Sequence, residues 1–199
     1  RNVLERASAR ETAARVAAAS ICKKFLSELG VEIKSRVKSV GWEESEIDDL
    51  ENIDWNYVEK SEVRASNSDE DSRFKKVIDQ VKKERTTIGG IFQVIARNVP
   101  LGLGSHTHWD NKLDGKIAQA MASINAVKGV EIGNGFENTK KLGREVQDVI
   151  EPNKADPRNF SQISNHSGGI EGGMSNGNNL IINVAIKPIA TMTSPLPSV

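Results

Sequence analysis

The chain has 199 residues, of which 37% are hydrophobic and 5% aromatic, which is enough apolar content for a packed core. Basic and acidic residues number 27 each, so the formal net charge is zero. A neutral chain has no overall field that would draw it to nucleic acid or to an anionic membrane, and we expect neither partner. No apolar run approaches the roughly 18 residues that a membrane-spanning helix needs.

Cys22 is the only cysteine, which excludes an internal disulfide and a cysteine-based zinc site. We expect it to be a small hydrophobic residue on the buried face of a helix rather than a nucleophile. The chain has no initiating methionine and no signal-peptide pattern, and we expect it to be a piece of a longer polypeptide. The expected location is the cytoplasm, or a plastid if a transit peptide has been lost.

The first helix is predicted from a capping box, in which Ser8 is followed three residues later by Glu11. It should begin at Ala9, run to Leu29 and stop at Gly30. An apolar stripe would run along it, formed by Val16, Ile21, Phe25 and Leu29.

Arginines surround the start of this helix, at Arg6, Arg10 and Arg15. Free backbone N–H groups and a partial positive charge at a helix N-terminus, with guanidinium groups beside them, are well suited to a phosphate. The alternative is that Arg10 and Arg15 are solvated or paired with Glu11. The sequence of this stretch leaves both interpretations open.

The middle of the chain alternates between predicted strands and helices. Residues 31–40 alternate apolar and charged positions, as a strand with one wet face does. Residues 41–72 are acidic and polar, and we interpret them as a surface insertion with a short helical piece near residues 47–53. An amphipathic helix over residues 71–85 and a strand over residues 91–97 follow.

His106 and His108 lie in the next loop, where we expect surface histidines rather than a metal site, because no third ligand is near in sequence. Asp110 is predicted to cap a helix whose buried stripe would be Leu113, Ile117, Met121 and Ile124. A short strand should follow at residues 130–133. Residues 137–164 are polar and contain two prolines, which predicts a long mobile loop of the kind that forms lids or linkers.

Glycine makes up five of the thirteen residues of the segment 165–177, which we call the glycine segment. Backbone with so much conformational freedom either wraps a flat or anionic ligand or forms a hairpin connection with no ligand. Asn176 and Gly177 form a hairpin turn signal before a predicted strand at residues 180–186. Lys187 and Pro188 then end that strand, where backbone groups are available to a ligand.

Four of these stretches together resemble the chorismate synthase family. They are Arg-Ala-Ser-Ala-Arg-Glu-Thr at residues 6–12, Met-Ala-Ser-Ile-Asn-Ala-Val-Lys-Gly-Val-Glu-Ile-Gly at residues 121–133, Asn-His-Ser-Gly-Gly-Ile-Glu-Gly-Gly-Met-Ser-Asn-Gly at residues 165–177, and Lys187 with Pro188. They occur in the family's order and at its approximate spacing. The resemblance covers nearly the whole chain except the acidic insertion, but only the central portion of the family's longer polypeptide.

The resemblance implies an α+β fold, a β-α-β sandwich with helices between antiparallel sheets, in one domain over residues 1–199. It implies a carbon–oxygen lyase that acts in the last step of the shikimate pathway, and so in aromatic amino acid biosynthesis. The reaction is a 1,4-anti elimination of phosphate from 5-enolpyruvylshikimate 3-phosphate, which gives chorismate. Reduced FMN is required without net redox change, and the assembly is generally a homotetramer.

The resemblance also assigns residues. Flavin contacts are expected from Arg6, Ala7, Ser8, Asn125, Ala126, Gly172, Lys187, Pro188, Ile189, Ala190 and Thr191. Arg10 is the first candidate for the substrate phosphate and Arg15 the second, and no metal is expected. The family's catalytic histidines and aspartate lie in segments that this chain does not contain, so no catalytic residue is assigned and the fragment alone is expected to be inactive.

Two other functions remain open. A non-catalytic protein could retain this scaffold as an FMN-binding or subunit-assembly module. A flavin reductase would need a nicotinamide site, and the chain has no Gly-x-Gly-x-x-Gly strand-turn-helix pattern to supply one.

Overall fold

The computed structural model describes residues 2–8, 10–47, 49–194 and 196–197. These residues form two compact units. Unit 1 consists of the described residues of Arg1–Ile33, Val94–Asn125 and Val130–Asn183, and unit 2 of those of Lys34–Gln93, Ala126–Gly129 and Val184–Val199. The family-based expectation of one domain over residues 1–199 stays a prediction.

Two helices open unit 1, α1 at Asn2–Ala7 and α2 at Arg10–Glu28. The Glu11 amide donates to the Ser8 carbonyl oxygen at 3.2 Å, and the Arg10 amide donates to Ser8 Oγ at 3.4 Å. Ser8 therefore lies at the start of α2, as the capping box predicts. Ala9, where the helix was predicted to begin, lies outside the described residues. Gly30 ends the helix with a φ of +82°, so the predicted stop is confirmed.

The predicted burial of α2 is wrong for the described chain. The four side chains of the apolar stripe are 61–73% exposed, and Cys22 is exposed as well, not on a buried face. Polar and charged residues are spread around the helix between the apolar ones, with five alanines among them, so its sequence does not force one side toward a core.

Five strands form one sheet in the order β2-β1-β3-β9-β4. Their bounds are Glu32–Val40 for β1, Glu43–Glu44 for β2, Gly90–Arg97 for β3, Val127–Ile132 for β4 and Leu180–Ile186 for β9. β1 and β2 are antiparallel, with Ser39 opposite Glu44 and Val40 opposite Glu43. The strands predicted near residues 31–40, 91–97, 130–133 and 180–186 are all present.

Unit 2 contains helices α3 at Trp55–Lys60 and α4 at Ser68–Lys83. Asp54 caps α3 by accepting from the Asn56 and Tyr57 amides, and Asn67 caps α4 by accepting from the Glu70 amide. The cap at Asn67 starts α4 three residues before the predicted position at Asp71. The core of this unit is Ile53, Val58, Ala65, Phe74, Val77, Val81, Val127 and Val184.

The segment 41–72 contains β2, α3 and the start of α4, and near the predicted helical piece it forms a 3₁₀ turn at Leu50–Asn52. Several of its polar side chains are buried rather than exposed. Ser45, Ser66 and Glu70 are at most 8% exposed, and Arg36 is 1% exposed. Both serine hydroxyls accept from Nη1 of Arg36, and Glu70 accepts from the Ser45 hydroxyl. Part of this segment is therefore core of unit 2, and its status as an insertion stays a prediction.

Unit 1 contains helix α5 at Leu113–Ala122. The prediction that Asp110 caps it is wrong, because Asp110 lies in a separate 3₁₀ turn at Trp109–Asn111 and the N-cap position is Lys112, without a side-chain cap. The stripe predicted to be buried is only half-buried. The core of this unit is Val31, Ile95, Ala96, Val99, Ile170, Leu180 and Ile182.

Residues 137–164 carry regular structure, although their sequence predicts none. Short helices α6 at Gly135–Asn138 and α7 at Gly143–Val146 precede an antiparallel pair, β5 at Ile150–Pro152 and β6 at Phe160–Gln162. The mobility of this stretch stays a prediction. With mixed helices and antiparallel strands, the α+β class is confirmed. None of the described helices is both long and apolar enough to span a membrane.

Candidate functional site

Two stretches that the sequence marks as ligand-binding meet in unit 1. The Asn125 side-chain amide, after the end of α5, donates to the Ser8 carbonyl oxygen at 2.6 Å. Ser8 lies between α1 and α2, so this bond ties the start of α2 to the end of α5. Arg15 makes a second tie, because its Nη1 donates to Ser123 Oγ at 2.7 Å. Residues 6–8 and Asn125 are thus neighbours, as a shared ligand requires.

The two candidate phosphate ligands differ in how firmly they are held. Arg15 donates from Nε to the Glu11 carboxylate at 2.7 Å and from Nη1 to Ser123. Among the described residues, the Arg10 guanidinium pairs with the Glu5 carboxylate at 3.4 Å, and the Arg10 side chain is 73% exposed. The pairing of Arg15 with Glu11 is the structural alternative that the sequence left open. An exposed ion pair of the Arg10 kind is worth about 0–1 kcal/mol, so Arg10 can exchange its partner at little cost.

The glycine segment forms a tight hairpin. Strands β7, Ile170–Glu171, and β8, Met174–Ser175, are antiparallel and are joined by Gly172 and Gly173. Both glycines have positive φ, +60° and +87°, as a type I′ turn requires. The prediction that Asn176 and Gly177 form the hairpin turn is wrong, because β9 pairs with β3 and β4 rather than with β8.

The two turn glycines have different surroundings. A Cβ on Gly173 would lie 2.6 Å from Lys112 Cγ and 2.7 Å from Ser105 O, so this glycine packs against the chain. A Cβ on Gly172 would meet no atom within 4 Å. Gly172 is exposed, and its backbone faces open space that another molecule can approach.

Polar side chains hold the first half of the glycine segment. Asn165 accepts from the Gly169 amide at 2.8 Å and donates to the Asn179 carbonyl at 2.9 Å. Asp148 accepts from the Ser164 hydroxyl at 2.6 Å and from the His166 and Ser167 amides at 2.7 and 2.9 Å. Burial alone would raise the pKa of Asp148, but these hydrogen bonds outweigh it and hold that pKa below its ordinary value.

A second group of predicted flavin contacts lies in unit 2. The Ala126 carbonyl accepts from the Lys187 amide at 3.0 Å, and Ala126 has a φ of +69°, which is rare for a residue with a Cβ. The Thr87 hydroxyl donates to the Ile189 carbonyl at 2.6 Å. The segment 187–191, exposed at all five residues, is thus fixed through its backbone.

An open cavity of about 290 Å³ lies beside this segment within unit 2. Lys187 and Ile189 contribute to its wall. Apolar side chains supply most of the rest, including Val37, Val40, Ile78, Ile88, Phe92 and Ile186. The cavity therefore combines a hydrophobic surface with one cationic residue.

Sequence reasoning missed three residues, Thr87, Asp148 and Arg158. Each forms hydrogen bonds with backbone atoms of a segment distant in sequence. The sequence around each of them predicts a polar residue in a loop and does not predict these long-range hydrogen bonds. His106 and His108 are exposed loop residues, as predicted. Within the described ranges, no three His, Cys, Asp or Glu side chains group closely enough to hold a metal ion.

Comparison with known proteins gives one consistent result. The family model described as chorismate synthase matches residues 1–199. The chorismate synthase of Aquifex aeolicus is 48% identical over 210 residues, which cover 100% of this chain and 52% of that protein. The chorismate synthase of Staphylococcus carnosus is 47% identical over 200 residues, covering 100% of this chain and 51% of the relative.

A crystal structure of a chorismate synthase superposes with a TM-score of 0.88 at 48% identity, over 94% of this chain and 58% of that one. The chain spans about half the length of the curated relatives that it matches. Identity at this level over the whole chain, with the same fold, leaves no other family to consider. The chain belongs to the chorismate synthase family.

Proposed function

We propose that the polypeptide to which this chain belongs is a chorismate synthase. It eliminates phosphate and a ring proton from 5-enolpyruvylshikimate 3-phosphate in a 1,4-anti sense, and the products are chorismate and inorganic phosphate. The observation that carries the proposal is the hydrogen bond from Asn125 to Ser8, which joins two of the family's flavin-contact motifs across 117 positions of sequence.

Reduced FMN is the proposed cofactor, and the residues present fit its chemistry. In unit 1, Arg6, Ala7, Ser8 and Asn125 offer a guanidinium, a hydroxyl and amide groups to phosphate or ring oxygens, while Gly172 leaves its backbone open to a planar ring. In unit 2, Ala126, Lys187, Pro188, Ile189, Ala190 and Thr191 are the proposed contacts. Lys187 there adds a cation that offsets the negative charge of a reduced flavin.

Reduced FMN, when bound, lends electron density that helps the phosphate to leave and recovers it afterwards, which is why there is no net redox change. The chain's own contribution is to hold the substrate phosphate. We assign this role first to Arg10, because its side chain is exposed and weakly paired, and second to Arg15. A leaving phosphate gains negative charge, so a guanidinium fixed beside it stabilises the transition state more than the substrate.

We further propose that this chain by itself turns over little or no substrate, because the family's catalytic histidine segments are not in it. The working assembly is a homotetramer in the cytoplasm. The general acid and base belong to polypeptide segments beyond these residues. In this arrangement residues 1–199 supply cofactor and phosphate binding.

The test uses the full-length polypeptide. Reduced FMN is titrated anaerobically, and phosphate release from 5-enolpyruvylshikimate 3-phosphate is then measured with dithionite-reduced flavin. Arg10→Ala should reduce kcat/KM by at least about a hundredfold, as the loss of a charged transition-state contact does. Arg144→Ala, at an exposed arginine of α7, is the matched control and should leave the rate unchanged.

Flavin binding without any phosphate release would contradict the enzymatic assignment and leave the non-catalytic FMN-binding module. Release that needs no reduced flavin would contradict the cofactor assignment. A normal rate in Arg10→Ala together with a lost rate in Arg15→Ala would transfer the phosphate role to Arg15.

A further inference from the structure

We propose that Asp148 and Arg158 are positioning residues that hold the glycine segment from its two ends and thereby fix the Gly172 turn for the flavin. This inference rests on the proposed function. Both residues come from the stretch 137–164, which by sequence reads as a mobile loop. Their contacts make this stretch a support for the cofactor-binding turn.

The turn needs outside support because its own strands are very short. β7 and β8 contain two residues each, and they pair only through Ile170 with Ser175 and Glu171 with Met174. A two-stranded hairpin of ordinary length is already marginal in water, so a ladder of two pairs does not define a single conformation. Contacts from other segments select it: the Ser105 and Leu113 amides donate to the Gly173 carbonyl at 3.3 and 2.8 Å, and Asp148 and Arg158 hold the two ends of the glycine segment.

Asp148 holds the entry to the segment. One carboxylate oxygen accepts from the Ser164 hydroxyl and the His166 amide, and the other accepts from the Ser167 amide. Hydrogen bonds to an ionised carboxylate are stronger than those between neutral groups. Two of the three donors to Asp148 are backbone amides of the glycine segment itself. The backbone at Gly168 is thereby held against Gly133, where a Cβ on Gly133 would lie 2.8 Å from Gly168 Cα.

Arg158 holds the exit. Its Nη1 donates to the Asn176 carbonyl at 2.9 Å. The guanidinium is itself fixed by Asp156, which accepts from Nε at 2.9 Å and from Nη2 at 2.8 Å, and it lies 5.1 Å from the centre of the Phe160 ring. The bidentate pair orients the guanidinium so that its Nη1 faces the Asn176 carbonyl.

Further hydrogen bonds connect the two ends. The Asn176 amide donates to the Gly169 carbonyl at 3.0 Å, and the Asn176 side chain donates to Glu171 at 2.9 Å. Gln162 of β6 donates to Glu171 at 3.3 Å and accepts from Asn178 at 2.5 Å. Entry, turn and exit are therefore one connected polar network, with Asp148 and Arg158 as its two charged anchors.

The experiment compares three variants of the full-length protein, Asp148→Asn, Arg158→Lys and the control Asp110→Asn, whose carboxylate is exposed in a 3₁₀ turn. Asp148→Asn keeps the size of the side chain but replaces an acceptor oxygen by an NH₂ group that faces a donor. Arg158→Lys keeps the charge but loses the fork geometry. Two quantities are measured: amide hydrogen exchange of the peptide 168–177, and affinity for reduced FMN under anaerobic conditions.

We expect Asp148→Asn to speed exchange across residues 168–177 and to weaken FMN binding, each by about tenfold or more, since a charge-assisted contact is lost. Arg158→Lys should change both in the same direction by a smaller factor. Asp110→Asn should match wild type. If Asp148→Asn does not fold, Ser164→Ala takes its place. This variant removes a single donor to Asp148 and should increase the exchange rate by a smaller factor.

Equal exchange in wild type and in all variants would overturn the proposed support of the turn. Faster exchange with unchanged FMN affinity would overturn its role in cofactor binding while leaving the proposed function intact. Failure of the wild-type protein to bind reduced FMN would instead contradict the proposed function, and the two failures are thus distinguishable.

Discussion

Asn125 and Ser8 are 117 positions apart in sequence, and the side-chain amide of Asn125 donates to the Ser8 carbonyl oxygen at 2.6 Å. The bond lies at the start of α2 and just after the end of α5. It uses the backbone of Ser8, so the Ser8 hydroxyl keeps its capacity to donate to a ligand. The contact thus fixes the start of α2 without occupying the hydroxyl of Ser8.

Replacing Asn125 with alanine should therefore weaken reduced FMN binding. A neutral hydrogen bond contributes about 0.5–1.5 kcal/mol net, which corresponds to roughly a two- to tenfold loss of affinity. Asn125→Asp should be worse, because a carboxylate oxygen would face the Ser8 carbonyl oxygen. Anaerobic titration measures both affinities, and Asn56→Ala, at an exposed position of α3, is the control. Wild-type affinity in Asn125→Asp would contradict this interpretation of the contact.

Replacing Ala126 with glycine should leave the stability of the fold nearly unchanged, whereas replacing it with valine should lower that stability. Its φ of +69° is strained for any residue with a Cβ and worst for a β-branched one. Ala126→Val should lower the free energy of unfolding by roughly 1–2 kcal/mol, whereas Ala126→Gly should be close to neutral because relief of strain offsets the extra chain entropy. Urea unfolding measures the free energy of unfolding of both variants. Ala185→Val, in strand β9, should not be destabilising in the same way, and equal losses at both positions would argue against strain.

The carboxyl of Asp156 should stay ionised well into the acid range. Its hydrogen bonds with Arg158 lower the pKa of Asp156 from 3.8 to about 2. Because the folded pKa is below the ordinary one, the stabilising contribution is complete above pH 3.8 and is lost as the pH falls through about 2.

Carboxyl carbon NMR of labelled protein, followed from pH 7 down to the onset of unfolding, measures this pKa. Arg158→Gln should move the Asp156 midpoint back toward the ordinary value. Arg144→Gln, at an exposed arginine on α7, should leave it in place. If the titration midpoint of Asp156 is the same in Arg158→Gln as in wild type, Arg158 does not lower the pKa of Asp156 and the prediction is wrong.

Glu70 should be one of the most sensitive charged residues in unit 2. It is 1% exposed, accepts from the Ser45 hydroxyl at 2.7 Å and from the Ser66 amide at 3.0 Å, and through these serines it connects to buried Arg36. Glu70→Gln replaces a carboxylate oxygen that accepts a hydrogen bond by an NH₂ group that would face a donor, and so disrupts the buried network that reaches Arg36. We expect a loss of roughly 2–4 kcal/mol in the free energy of unfolding.

The control for this change is Glu46→Gln. Glu46 has an 89% exposed side chain that pairs with Arg73 at 4.0 Å, and such a surface pair should contribute under about 1 kcal/mol. Urea unfolding compares the two variants. Similar small losses for both would mean that the buried network is not what holds segment 41–72.

Some features of the molecule were determined by local sequence alone. The stop at Gly30 and the strands β1, β3 and β9 each reflect the physics of a few neighbouring residues, and the structure has them where they were predicted. The family resemblance was equally local, since it depended on four short motifs, and the comparisons confirm it.

Tertiary structure decided the features that depend on distant partners. The exposure of α2 and Cys22, the hairpin turn at Gly172 rather than at Asn176, and the support that Asp148 and Arg158 give to the glycine segment follow from which segments meet, and no short pattern encodes that. A helix or a cap is stabilised within a few residues, so its sequence predicts it. Burial and long-range hydrogen bonds depend on the rest of the fold, so only the folded chain determines them.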